Sequence, residues 1–254
     1  MSTWLFFFVG IFVGTLGTLI GAGGGFILVP VMLFLFPEFA STKVTAISML
    51  AVAANSVSGS MAYAYKRQIH WQSAMIFTVA STPGIWLGLR LAKTVHRDHF
   101  ELTFGILLAM VASFLLYRTT VKKHLPDHTK YSLTKQATVW GCLISVLVGV
   151  LSSFLGIGGG VIHVPMMAEF IQFPVHIATG TSHFILALTS LMTVAGHWLA
   201  GHYVDLPSFV PFLIVGIVLG AQIGARYSKK IASKRILQLL AIALLIVAAR
   251  LVLS

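Results

Sequence analysis

Gly14-Thr15-Leu16-Gly17-Thr18-Leu19-Ile20-Gly21-Ala22-Gly23-Gly24-Gly25-Phe26-Ile27-Leu28-Val29-Pro30-Val31-Met32 has a second copy, 135 residues on, in Gly149 to Met167. Ten of the 19 positions are identical, among them Gly21/Gly156, the three consecutive glycines of each copy, and Pro30/Pro165. Identity on that scale between unrelated apolar stretches is improbable. The likeness continues more weakly: Thr45, Ser48 and Ser56 match Thr179, Ser182 and Ser190, and Gly84-Ile85-x-Leu87-Gly88 matches Gly216-Ile217-x-Leu219-Gly220. The chain therefore reads as a tandem duplication, with a first repeat over 1–117, a basic linker over 118–136 and a second repeat over 137–254.

Around this motif the composition is that of a membrane protein. Of 254 residues, 57% are hydrophobic and 9% charged, against roughly 25% charged in a soluble domain. Too little polar surface is present to cover a water-soluble globule. The formal net charge of +11 sits in short loops between apolar stretches, where it faces anionic headgroups and excludes a nucleic-acid role. Cys142 is the only cysteine, so no intramolecular disulfide is available. The start, Met1 to Gly14, lacks a basic n-region and runs straight into the repeated motif, so it is expected to be retained.

Eight apolar stretches stand out, near 3–36, 44–65, 71–89, 100–117, 137–171, 177–200, 207–225 and 236–253. A helix crosses the hydrocarbon core in about 20 residues. Six stretches fit that length; the first and fifth, which carry the duplicated motif, are too long. The expected fold class is an all-α membrane protein of eight segments in two four-segment repeats, segments 1 and 5 broken at GxGGG. If all eight segments cross, the 17 Lys and Arg divide 9 to 8 and give no orientation. If the first and fifth enter and return, one side receives 12, including Lys66, Arg67, Lys122, Lys123, Lys229 and Lys230, against 5 for the other. Cytoplasmic loops show such a bias. The repeats are then inverted, as in many transporters, and linker 118–135 is cytoplasmic.

In hydrocarbon every backbone N–H and C=O needs a partner, so irregular backbone survives only inside protein or along a wet cavity. Three glycines followed five residues later by proline do not continue an ordinary helix. The motif predicts a mid-stretch break, with free amides and a new, partly positive helix N-terminus inside the membrane. That is an anion site, and inverted halves bring two of them together. The alternative is that these glycines only permit close helix packing. A dinucleotide-binding reading of Gly21-x-Gly23 lacks the strand–helix–strand context and acidic partner it requires.

The paired Gly21-Ala22-Gly23-Gly24-Gly25 and Gly156-Ile157-Gly158-Gly159-Gly160, each running on to Pro30 or Pro165 and followed by a polar-flecked helix such as Ala178-Thr179-Gly180-Thr181-Ser182, resemble the TauE/SafE sulfite-exporter family over the whole chain. The resemblance implies a bacterial inner-membrane permease for sulfite, sulfoacetate or another small organic or inorganic anion, with no cofactor or metal. Its partners are the anion and the lipid bilayer, with a homodimer left open. The first half departs from the pattern: Val44-Thr45-Ala46-Ile47-Ser48 stands where the second half has Thr179-Gly180-Thr181-Ser182, so the halves need not play equal parts.

Polar groups within apolar spans point to function. The candidate substrate-binding residues are Gly23, Gly24, Gly25, Ser48, Asn55, Gly158, Gly159, Gly160, His163, Thr181, Ser182, His183 and Thr189. His163 replaces Leu28 of the first half, directly between glycines and proline, where it donates to an anion or carries a coupled proton. The bland alternatives are interhelical hydrogen bonding for Asn55 and packing for His183. His197 and His202 read as too far apart in register for a metal site. Tyr65, Trp71, Trp198 and Tyr203 fall at segment ends, as an aromatic belt requires. The rival functions are an anion channel and an intramembrane hydrolase. For the latter, Ser182 and His183 are a poor dyad, since neighbours on a helix point about 100° apart, and no GxSxG or HExxH motif is present.

Overall fold

A computed structural model describes residues 3–95, 97–121, 134–169 and 171–228, together with 241, 242, 244–246, 248, 249 and 251. Among these residues all regular structure is helical: α1 (Thr3–Ile20), α2 (Gly25–Leu35), α3 (Ser41–Tyr65), α4 (Trp71–Thr94), α5 (Arg97–Val121), α6 (Lys135–Leu155), α7 (Gly160–Glu169), α8 (Val175–Leu199) and α9 (Val210–Tyr227). Six of them, α1, α3, α4, α6, α8 and α9, are long and apolar enough to cross a membrane. The two over-long stretches are each divided, into α1 with α2 and α6 with α7. The stretch near 236–253 is helical at its described positions, and most of linker 118–136 lies outside the described residues.

α3 and α8 form the centre: 78% and 67% of their most apolar windows are buried, against 33–44% for the other four spans. They cross antiparallel, since Gly59 of α3 adjoins His183 while Ser56, earlier in α3, adjoins Ser190, later in α8. The outer helices turn apolar side chains outward at helical spacing, Trp4, Phe8 and Phe12 on α1 and Trp140, Leu143 and Leu147 on α6. Lipid solvates such a surface at no cost. Tyr65, Trp71 and Trp198 are exposed at helix ends, where interfacial aromatics belong.

Lipid also solvates apolar side chains within a span, so helices associate through close packing rather than hydrophobic exclusion. Here glycines provide it. α1 runs parallel to α9: a Cβ on Gly216 would lie 2.1 Å from the Phe7 carbonyl oxygen, and one on Gly220 2.3 Å from that of Ile11. α4 runs parallel to α6 in the same way, a Cβ on Gly84 falling 2.1 Å from the Val146 carbonyl oxygen and one on Gly88 2.4 Å from that of Val150. The first helix of each half thus docks on the fourth helix of the other.

The short helices double back. The rings of Phe6 in α1 and Phe36 after α2 stack at 6.0 Å, so the chain leaving α2 returns to the end at which α1 began. In the second half Ser145 of α6 meets His163 of α7 at 3.1 Å, and Gly159 abuts Val148.

Because backbone oxygen blocks the added side chain, Gly220→Leu and Gly84→Leu should each cost about 1–3 kcal/mol of overpacking. Thermal unfolding in detergent checks this. Leu219→Ala, on the exposed face of α9, should leave the transition nearly unmoved.

Candidate functional site

The two interruptions between helices meet. After Ile20 the amides of Gly21, Ala22 and Gly23 all turn back to the Gly17 carbonyl, at 3.1, 2.8 and 3.2 Å. That winding needs positive φ, which Gly21, Gly23 and Gly24 supply at +84°, +79° and +81°. Gly156 and Gly158 do the same in the second copy, at +70° and +78°. A residue with a Cβ is strained in this region. The segments then cross backbone to backbone. A Cβ on Gly25 would lie 2.4 Å from the Gly156 carbonyl oxygen, and one on Gly160 2.0 Å from that of Gly21.

Serines from the central helices secure the crossing. Ser48 donates to the Gly156 carbonyl at 2.6 Å, and its counterpart Ser182 donates to the Gly21 carbonyl at 3.1 Å. Each bond joins one half's central helix to the other half's interruption. The hydroxyls occupy acceptors that would repel an anion and leave the donors. Among the described residues the first-turn amides of α2, on Gly25 and Phe26, and those of α7, on Gly160 and Val161, have no hydrogen-bond partner. Such amides and the helix dipole favour negative charge.

A buried side-chain donor stands beside each helix start. The Asn55 Oδ1 accepts from Thr18 at 2.5 Å. That leaves its Nδ2, which has no partner, 3.4 Å from the position a Cβ on Gly24 would take. His163 is 1% exposed. Its Nε2 pairs with the Ser145 hydroxyl at 3.1 Å, and its unpartnered Nδ1 lies 3.3 Å from the corresponding point on Gly159. Val52 and Leu186 pack on Gly23 and Gly158. An apolar cleft beside Gly158 and Gly159 is lined by Phe26, Leu107, Leu108, Val111 and Leu151.

The structure thus gathers Gly23, Gly24, Gly25, Gly158, Gly159, Gly160, Ser48, Ser182, Asn55 and His163. Thr189 lies on α8 with its hydroxyl on the Ile185 carbonyl at 2.9 Å. Thr181 and His183 face another way. The Thr181 hydroxyl accepts from the His70 amide in the turn after α3 at 2.9 Å, and His183 packs edge-on against Tyr63, ring centroids 5.3 Å apart. Thr18, Val52 and Leu186 escaped the sequence reading. The signal for the last two was available, since they occupy equivalent positions 134 residues apart.

One reading is corrected. His197 and His202 are not kept apart by register: their Nδ1 atoms are 2.7 Å apart, because the helix stops at Leu199 and Gly201, at φ +74°, folds the chain back. Burial and the Lys93 charge hold the His202 ring below its usual pKa, which suits a neutral pair sharing one N–H. No third His, Cys, Asp or Glu completes a metal-binding group among the described residues.

The family model described as sulfite exporter TauE/SafE matches residues 6–251. The chain belongs to the TauE/SafE family. It is 28% identical to the probable membrane transporter protein YunE of Bacillus subtilis (strain 168), over 99% of this chain and 98% of that one. A probable membrane transporter protein of Xylella fastidiosa (strain 9a5c) is 30% identical over 86% of this chain and 82% of its own. The probable membrane transporter protein MJ0441 of Methanocaldococcus jannaschii is 26% identical over 91% and 88%. No solved structure matches significantly. As a TauE/SafE member the chain is a multi-pass membrane transporter.

The crossed serine bonds make a local prediction. Ser182→Ala should loosen Gly21 to Phe26, and Ser48→Ala should loosen Gly156 to Val161. Each should lose about 1 kcal/mol, or roughly fivefold faster amide exchange by mass spectrometry. Exchange that rises equally in both segments for either variant would show that the bonds do not act locally.

Proposed function

We propose that this TauE/SafE transporter carries a small sulfur-containing anion, sulfite or an organosulfonate such as sulfoacetate, bound where the two glycine segments cross. The observation that carries this reading is the pair of buried, unpartnered donors, Asn55 Nδ2 and His163 Nδ1, beside the starts of α2 and α7. Burying such groups unpaired is unfavourable, and an oxyanion with several acceptor oxygens satisfies them together with the first-turn amides. The family's description as sulfite exporters agrees with this chemistry. The apolar cleft beside Gly159 offers room for the short hydrocarbon of a sulfonate.

Inverted repeats form the frame of this proposal. Its support is the antiparallel crossing of α3 and α8, the matching helices of the two halves, near Ser56 and Ser190. With α1–α2 and α6–α7 entering and returning, the 12-to-5 cation bias supports a cytoplasmic side for the 66–70 turn and the 118–135 linker. The membrane is then the cell inner membrane. Ser182, bonded to the Gly21 carbonyl, is not a nucleophile paired with His183, which argues against a hydrolase.

Topology is checked by single cysteines in a protein lacking Cys142. An impermeant maleimide on intact cells should label positions 39 and 205 and spare 67 and 228. Labelling of 39 and 67 from one side would refute the inverted arrangement.

Function is checked in proteoliposomes with labelled sulfite and sulfoacetate. Saturable flux with counterflow is expected; non-saturating flux indicates a channel. His163→Leu, which restores the first half's residue, and Asn55→Leu should each weaken anion binding. A hydrogen bond to a charged group contributes about 1.5–3 kcal/mol, or roughly 10- to 150-fold in affinity. Unchanged affinity in both variants would place the anion elsewhere.

A further inference from the structure

Outside the glycine crossing, toward the 66–70 turn, two buried polar side chains have no side-chain hydrogen-bond partner. His183 is fully buried, with its ring facing the Thr179 carbonyl one turn earlier on α8; Gln68 is 2% exposed and neither atom of its amide is bonded. Both lie beside Tyr63 and the Gly180–His183 turn of α8. Gly180, on the same face of α8 one turn before His183, presses on the turn so closely that a Cβ there would lie 2.2 Å from the Gln68 carbonyl oxygen. The Gln68 amide donates to the Tyr63 carbonyl at 3.0 Å, and the Tyr63 ring stands edge-on to His183. Room for the imidazole comes from Gly59, whose added Cβ would fall 2.6 Å from the His183 Cδ2.

His183 is joined to the crossing. Tyr63 donates to the Thr18 carbonyl at 2.9 Å, the Thr18 methyl adjoins the same point above Gly59 as the His183 ring, and the Thr18 hydroxyl donates to Asn55. Polar groups therefore connect His183 through Thr18 to Asn55 and Gly24, with Gln68 against Gly180 one turn away on α8. A histidine that merely packs needs only one neighbour for its ring. It does not explain a second buried side chain, Gln68, left unpaired beside it. Lys66 and Arg67 bring positive charge to the same turn.

We infer that His183 and Gln68 form a second anion-binding station, between the Gly21–Gly24 segment and the 66–70 turn, that takes the oxyanion head of the substrate on its way to or from that face. The Gln68 Nε2 and one imidazole N–H donate to two oxygens of the anion. The station has no twin in the other half, where the equivalent positions hold Met49 and His202. Its effect is therefore one-sided. The inference rests on the proposed anion transport.

The test uses right-side-out and everted membrane vesicles containing the full chain, with labelled sulfite as probe and maleimide labelling at position 67 to identify the face. Gln68→Leu and His183→Leu should raise the KM for sulfite tenfold or more when the 66–70 face meets it, and Gln68→Glu, which adds a negative charge, should raise it further. The shift should be confined to that face. Equal KM changes on both faces mark a structural role and overturn the station, as does an unchanged KM with only an altered pH profile, the signature of a proton relay. If His183→Leu fails to reach the membrane, the two Gln68 variants, in a turn, decide the matter. Wild-type protein that moves sulfite in neither orientation sinks the transport reading itself; wild-type flux without a one-sided shift sinks the station alone.

Discussion

Backbone that leaves helical geometry inside a lipid-embedded bundle must find partners for its polar groups, and the rest of this structure depends on how it does so. The two glycine segments meet that requirement for their carbonyls in each other's company. Gly21 and Gly156 offer carbonyls to Ser182 and Ser48, and the Cα atoms of Gly25 and Gly160 lie against the opposite segment's backbone. Contact this close tolerates no side chain. α3 and α8 are central because they carry the two serines, and their deep burial keeps lipid away from the exposed amides.

The same demand for close approach sets the periphery. α1 docks on α9 and α6 on α4 through glycines facing backbone oxygen. Each half therefore supplies the other's outer wall as well as the brace for its interruption. The halves are interlocked at both levels and do not form separate bundles side by side.

Backbone symmetry is not matched by chemical symmetry. Leu28 stands opposite His163, Thr189 opposite Asn55, Met49 opposite His183 and Gln68 opposite His202. The buried unpaired polar atoms follow the unequal residues: Asn55, Gln68, His163 and His183 carry most of them.

The residues alone determined the membrane class and the place where each long stretch divides. Those features rest on local properties: apolar length, glycine's access to positive φ, and proline's missing donor. Asn55 and His163 were legible as well, because a polar group in an apolar span is conspicuous whatever surrounds it. Only the tertiary structure decided that Ser48 and Ser182 brace carbonyls, that His183 faces Tyr63 and Gly59, and that His197 touches His202 across a glycine turn. Each of these depends on which chain segments meet through space, and glycine packing against distant backbone sets that without leaving a periodic mark in the sequence.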